Sequence, residues 1–114
     1  MLALNSDLLL EKSVAESLFT KLVGQLNKDF LLANLEEQFH ETISPEELKE
    51  KLKTVLVKLI ATNYDGYLNL LYRIDVSEKE LSQIQFENMN EAVDQISFVI
   101  LKREFQKVWF KSKL

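Results

Sequence analysis

The chain has 114 residues, 46% of them apolar and 28% charged, with a formal net charge of −4. That length suits one domain that buries roughly two-thirds of its unfolded surface and needs no disulfide or metal to hold it, and the balance excludes disordered, collagen-like and low-complexity chains. Two Gly and one Pro argue against an all-β fold, whose turns recur every ~8–12 residues, and the lack of Cys excludes zinc–thiolate sites, iron–sulfur clusters, thiol nucleophiles and disulfides while fitting a reducing compartment.

Met1-Leu2-Ala3-Leu4-Asn5-Ser6-Asp7 carries no basic residue ahead of the apolar run Leu8–Leu10. No secretory leader is read there, and no apolar run approaches the ~20 residues of a membrane span. The cytoplasm is the expected location.

Apolar residues at Leu8, Val14, Ala15, Leu18, Phe19, Leu22, Val23, Leu26, Phe30 and Leu31 recur at three- and four-residue spacing and predict a first long helix. Asn5, Ser6 or Asp7 caps its start. It runs through Gly24 to about Ala33, with Asn34 as a left-handed C-terminal residue; the alternative is a break near Asn27. Residues 35–43 lose the pattern and read as a loop, with an extra turn over Leu35–Phe39 as a variant. Ser44-Pro45-Glu46-Glu47 is a helix start, with Ser44 as cap, Pro45 in the first turn and Glu47 as capping-box residue. Leu48, Leu52, Val55, Leu56, Leu59 and Ile60 follow, and Tyr64, Tyr67, Leu68 and Leu71 stay in phase across Asn63 and Gly66. One helix to about Tyr72 is therefore expected.

After Ile74-Asp75-Val76, Ser77-Glu78-Lys79-Glu80 reads as a second capping box opening a short helix over about 77–86. The last helix starts near Asn90. Ala92, Val93, Ile96, Val99 and Ile100 lie on one side of it, and Phe98, Leu101, Phe105, Val108 and Trp109 on another. A helix apolar nearly all round is the central one. The expected architecture is all-α: a single domain over 1–114, an antiparallel four-helix bundle of three long helices and one short.

His40 is the one histidine. Glu37-Gln38-Phe39-His40 matches the Glu-x-x-His unit of di-iron bundles, but that chemistry needs two such units, so a solvated acidic turn is expected and no metal. Ser6, Ser44 and Ser77 serve as caps, and no serine has the sharp strand–helix turn of a hydrolase nucleophile. Gly24 and Gly66 stand alone, so no phosphate-cradling loop exists. The paired carboxylates Glu36/Glu37, Glu46/Glu47 and Glu78/Glu80 fall in polar turns. No catalytic residue and no cofactor is predicted.

Arg73 lies at the junction after the second long helix, and Arg103 is in phase with Ile96, Val99 and Ile100. Asp29, Asp75 and Asp94 are the acids that could meet them. A buried Arg is rarely left without a partner. The cluster Asp29, Arg73, Asp75, Arg103 is thus expected as a structural clamp at this corner, or else as an anion-pairing pocket between helices. Tyr67, Trp109 and Phe110 are the candidate interface aromatics. Residues 95–114 hold Lys102, Arg103, Lys107, Lys111 and Lys113 against Glu104, which is +4 there and −8 over the rest. The acidic body argues against nucleic-acid binding. The basic end suits the negative pole of a helix, and a tail binding anionic membrane or nucleic acid through Lys107, Lys111 and Lys113 is the minor alternative.

Leu71-Tyr72-Arg73 spells the tripeptide of the LYR assembly factors, but at the end of a helix rather than near the start of the first, and no assignment follows. Asn27-Lys28-Asp29-Phe30, Leu71-Tyr72-Arg73-Ile74-Asp75-Val76-Ser77-Glu78 and Ile100-Leu101-Lys102-Arg103-Glu104-Phe105-Gln106-Lys107 together resemble a group of short, uncharacterised, all-helical bacterial proteins. The resemblance implies a bacterial cytosolic setting and no particular activity. The functional expectation is a small non-enzymatic interaction or assembly module acting on a protein partner or on itself as a homodimer. A ligand-binding protein or enzyme with an inter-helix pocket around Arg73, Asp75 and Arg103 is the alternative.

Overall fold

The apolar periodicity is realised as six helices: α1 (Ser6–Ala15), α2 (Phe19–Leu32), α3 (Pro45–Thr62), α4 (Tyr64–Ile74), α5 (Glu78–Ser82) and α6 (Met89–Ser112). This computed structural model describes residues 5–114, and no strand occurs among them. Residues 1–4, part of the stretch read as lacking a leader, lie outside the described residues. Among the described residues no helix is long and apolar enough to cross a membrane.

The first long helix expected from the sequence is divided. Ser17 takes a left-handed φ of 60°, and the Leu18 N–H donates back to the Ser13 carbonyl at 2.8 Å. This bond satisfies a carbonyl at the helix end in the manner of a Schellman turn. The turn drops Leu18 into the core, which α1 and α2 as one straight rod could not do. Gly24 sits inside α2, and the chain does not break at Asn27. Instead Asn27 pins the following loop: its Nδ2 donates to the Phe39 carbonyl at 2.8 Å and its Oδ1 accepts from the Phe39 N–H at 2.7 Å. Phe39 is thereby buried edge-on to Phe30, ring centroids 5.3 Å apart. The loop over 35–43 forms no helical turn but supplies Leu35 and Phe39 to the core. Asn34 takes the left-handed conformation expected of it, at φ 60°.

The second long helix is divided at Asn63, which ends α3 and caps α4 by accepting from the Gly66 N–H at 3.0 Å. A Cβ at Gly66 would lie 2.4 Å from Asn63 Nδ2, so glycine leaves room for the cap. Ser44 forms the full capping box with Glu47. Ser77 caps α5 through the Glu80 N–H, while the Glu80 side chain turns to Lys102 instead of closing a box. The short helix stops at Ser82, so 83–88 lead non-helically into α6.

Helix α6 is central and touches all five others. Its Ala92, Val93, Ile96, Ile100, Leu101 and Phe105 are sealed from solvent, each large side chain contributing roughly 1.5–3 kcal/mol by burial. Gln25 meets Lys111 and Asp29 meets Lys107, so α2 runs antiparallel to α6. Tyr67 lies beside Ile96 and Asp75 meets Arg103, so α4 runs in the same direction as α6. The Cα radius of gyration, 13.2 Å, is that of a compact chain of this length.

A non-glycine residue at positive φ is strained by about 1 kcal/mol, and Ser17 is exposed with no side-chain role. Ser17→Gly is expected to raise stability by about 0.5–1 kcal/mol in urea unfolding, part of the relief being offset by the freer unfolded chain. A lower midpoint would contradict the left-handed turn between α1 and α2.

Candidate functional site

The four residues singled out at the corner do not converge on one point. Arg103 closes onto Asp75, its Nε donating to the Asp75 carbonyl at 3.0 Å and Nη2 to Oδ2 at 3.3 Å. Asp75 ends α4 in a left-handed turn at φ 66°, so this contact ties the α4–α5 corner to α6. The ion pair itself is exposed on the Asp75 side and is worth under about 1 kcal/mol. Arg73 points into solvent. Asp94 pairs with Lys53 at 2.7 Å. Asp29 lies elsewhere, on the α2 face of α6.

There the chain buries two carboxyls. Asp29 is 3% exposed and Glu104 is fully buried. Lys107 Nζ is 2.8 Å from Asp29 Oδ2 and 3.2 Å from Glu104 Oε1. Gln25 donates to Asp29 Oδ2 at 3.3 Å and accepts from Lys111 Nζ at 2.8 Å. Neither oxygen of Glu104 accepts a hydrogen bond. Two carboxylates against one ammonium in a dry interior would leave an uncompensated charge, which is costly. Burial first, then the nearby carboxylate of Asp29, push Glu104 up to about 9 against the opposing charge of Lys107. Glu104 is therefore a neutral acid at pH 7, and the Asp29–Lys107 pair brings the cluster to zero net charge. With no solvent-accessible oxygen, Glu104 offers no proton to a substrate; the cluster fastens α2 to α6.

Sequence reading counted Glu104 only as the lone acid of a basic tail. Its phase held the missing signal: it follows Ile100 by four and Leu101 by three and precedes Val108 by four, so it belongs to the buried stripe. Lys107 was read as a tail charge and is turned inward. Lys111 is occupied by Gln25, and Lys113 lies over the Trp109 ring at 5.0 Å.

The aromatics separate. Tyr67 is 4% exposed and fills the core, where burial and neighbouring Tyr64 push its phenol up to about 12. Trp109 is half-buried against Phe110, ring centroids 5.2 Å apart, and Phe110 is exposed. Tyr67 lies beside Ile96, which is about 20 Å along α6 from Trp109 at 1.5 Å per residue, so the two form no common surface. The exposed aromatic positions of α4 are Tyr64 and Tyr72, which flank exposed Leu68. The sequence could have shown this: the three recur at i, i+4, i+8, offset by about one residue step, roughly 100°, from the buried Tyr67, Leu70, Leu71 and Ile74. His40 is exposed in the loop, with Nδ1 2.7 Å from Thr42 Oγ1; Glu37 beside it pairs with Lys58 at 3.7 Å.

No protein-family model matches the chain, and no curated protein or solved structure matches it either.

The buried acid sets a pH dependence of stability. Between its ordinary value near 4.5 and its folded value near 9, the unfolded chain has lost the Glu104 proton while the folded chain keeps it. The unfolded state thus binds fewer protons, and stability falls as pH rises through that window. Glu104→Gln keeps the shape of the neutral acid without a proton to lose. It is expected to gain roughly 2–3 kcal/mol at pH 7 and to flatten the decline in a series of urea titrations from pH 5 to 9. Lys107→Met strands Asp29 and should lose about 3 kcal/mol. A destabilised Glu104→Gln with an unchanged pH slope would contradict a protonated Glu104.

Proposed function

We propose that the protein is a small non-enzymatic interaction module that pairs with a second copy of itself through the outer face of α4. The single observation that supports this most is the exposed stripe Tyr64, Leu68, Tyr72, with Tyr72 79% exposed. Single exposed apolar residues are ordinary, whereas a contiguous stripe marks a contact surface. Exposed Phe86 lies beside it, across a shallow groove of about 340 Å³ bounded also by Leu71 and Leu81.

Self-pairing is favoured by the symmetry of the stripe. An isologous twofold contact sets the same patch against itself, residue i on j and j on i, and Tyr–Leu–Tyr at four-residue steps gives an antiparallel copy matching apolar positions on both sides of Leu68. With the axis at Leu68, the two leucines meet and each Tyr64 lies against the partner's Tyr72. Asp65 and Arg73 are exposed, take part in no ion pair among the described residues, and fall on one flank of the stripe at 100° per residue. Antiparallel pairing brings Asp65 toward the partner's Arg73, twice over. An interface built on one short helix is near the lower size limit of stable association, so a reversible dimer is expected. The setting proposed is the bacterial cytosol.

Light scattering after size exclusion over a concentration series tests this. The wild-type mass should rise from monomer toward dimer, and Leu68→Glu should remain monomeric with an unchanged helical signal, since Leu68 is outside the core. Asp65→Arg and Arg73→Asp should each weaken pairing and together restore it. A wild-type monomer at about 1 mM, where contacts worth even ~4 kcal/mol would show, overturns the proposal.

A further inference from the structure

A second concavity shares Ile84 with the groove beside the α4 stripe and is otherwise lined by different residues. The start of α1, the first half of α3, α5 and the first half of α6 enclose a groove of about 520 Å³, within the usual range for small-molecule sites. Among the described residues its apolar wall is Ile84, Phe98 and Val99, and three ammonium groups, those of Lys49, Lys53 and Lys102, come to it from two different helices. Each lysine is neutralised by one carboxylate: Lys49 by Asp7 at 2.9 Å, Lys53 by Asp94 at 2.7 Å and Lys102 by Glu80.

The two sides of these pairs are unequal. The lysine side chains are 27–28% exposed, and the carboxylates are 35–69% exposed. All three lysines line the groove, and Lys102 Nζ rests 5.5 Å above the ring of Phe98 in its wall. The Asp94 hydrogen bond, ahead of any other influence, raises Lys53 above the usual lysine range. An exposed ion pair is worth only about 0–1 kcal/mol, so an incoming anion displaces a carboxylate into water at little cost. The groove also borders a buried hydroxyl: Ser97 is 1% exposed, and its Oγ has no hydrogen-bond partner among the described residues. The first turn of α1, with Asn5, Ser6 and Asp7 at the rim, adds the positive pole of a helix.

We infer that this groove binds a small amphipathic anion, its carboxylate, sulfonate or phosphate head among Lys49, Lys53 and Lys102 and its apolar body on Phe98 and Ile84. Binding exchanges three weak surface pairs for one partly desolvated head group, and the exposed acids act as displaceable counter-ions that keep the empty groove neutral.

The probe is 8-anilinonaphthalene-1-sulfonate, titrated into the folded full chain and followed by its fluorescence, with displacement by decanoate. One saturable site per chain is expected, with decanoate displacing the dye, and inorganic phosphate or decyltrimethylammonium displacing it far less well. Lys53→Met and Lys102→Met should each weaken binding about two- to fivefold, and Asp94→Asn should tighten it by a similar factor, the equivalent of one exposed ion pair. These opposite signs cannot arise from general loosening of the fold. Leu68→Glu should leave the titration unchanged, which separates this site from the α4 stripe and from self-association. Absence of a saturable site, equal displacement by the decyl cation, equal displacement by phosphate alone, or dye binding lost in Leu68→Glu and kept in the lysine variants would each overturn the inference.

Discussion

One helix cannot be exposed in this chain. Between Ala92 and Val108, α6 presents apolar side chains in almost every direction, and the other five helices exist in the fold as its covering. That enclosure has a consequence for charge. A helix covered over most of its middle must carry some of its polar residues inward, and the turn holding Glu104 and Lys107 is where this happens. The acid keeps its proton, the lysine meets Asp29 of α2, and the interior stays neutral. The seam between α2 and α6 therefore depends as much on proton balance as on apolar area.

The features legible in the sequence were those set by local chemistry. Ser44 with Pro45 and Glu47 started α3 as expected, Ser77 started α5, Asn34 took its left-handed turn, and α6 was recognisable as central from its two apolar sides. What escaped were features set by tertiary packing. Ser17 is neither glycine nor proline and lies inside a continuous apolar phase, so nothing local marks the corner that lets Leu18 turn inward. Asn63 also interrupts a phase that carries on through it, and only the closeness of its side chain to Gly66 makes it a joint. Six helices result, with α4 running alongside α6 in the same direction.

The functional residues follow the same division. Arg103 is named from its phase with Ile96, Val99 and Ile100 and Asp75 as one of three acids within reach, and these two are in contact, whereas Arg73, placed at the corner, faces solvent. Glu104 was passed over because its charge was counted and its phase was not. Tyr64 and Tyr67 are neighbours on α4, ring centroids 5.5 Å apart, yet the first is exposed and the second buried, because the edge of the core runs between adjacent positions of one helix and residue type does not mark it.

Chemically reactive groups are few and either buried or solvated, whereas two surfaces are organised: the stripe of α4 and the lysine-lined groove by α1, α3, α5 and α6. The stripe residues Tyr64, Leu68 and Tyr72 take no part in the lysine-lined groove, although Ile84 borders the concavities beside both. Both are mounted on α6, whose rigidity fixes their geometry. Native-state hydrogen exchange tests that dependence most directly. Amides over 96–105 should exchange only through global unfolding, with the highest protection in the chain, while α5 and the outer end of α1 open locally at lower free energy. Protection of α6 equal to or below that of α1 or α5 would contradict its role as the element on which the rest is built.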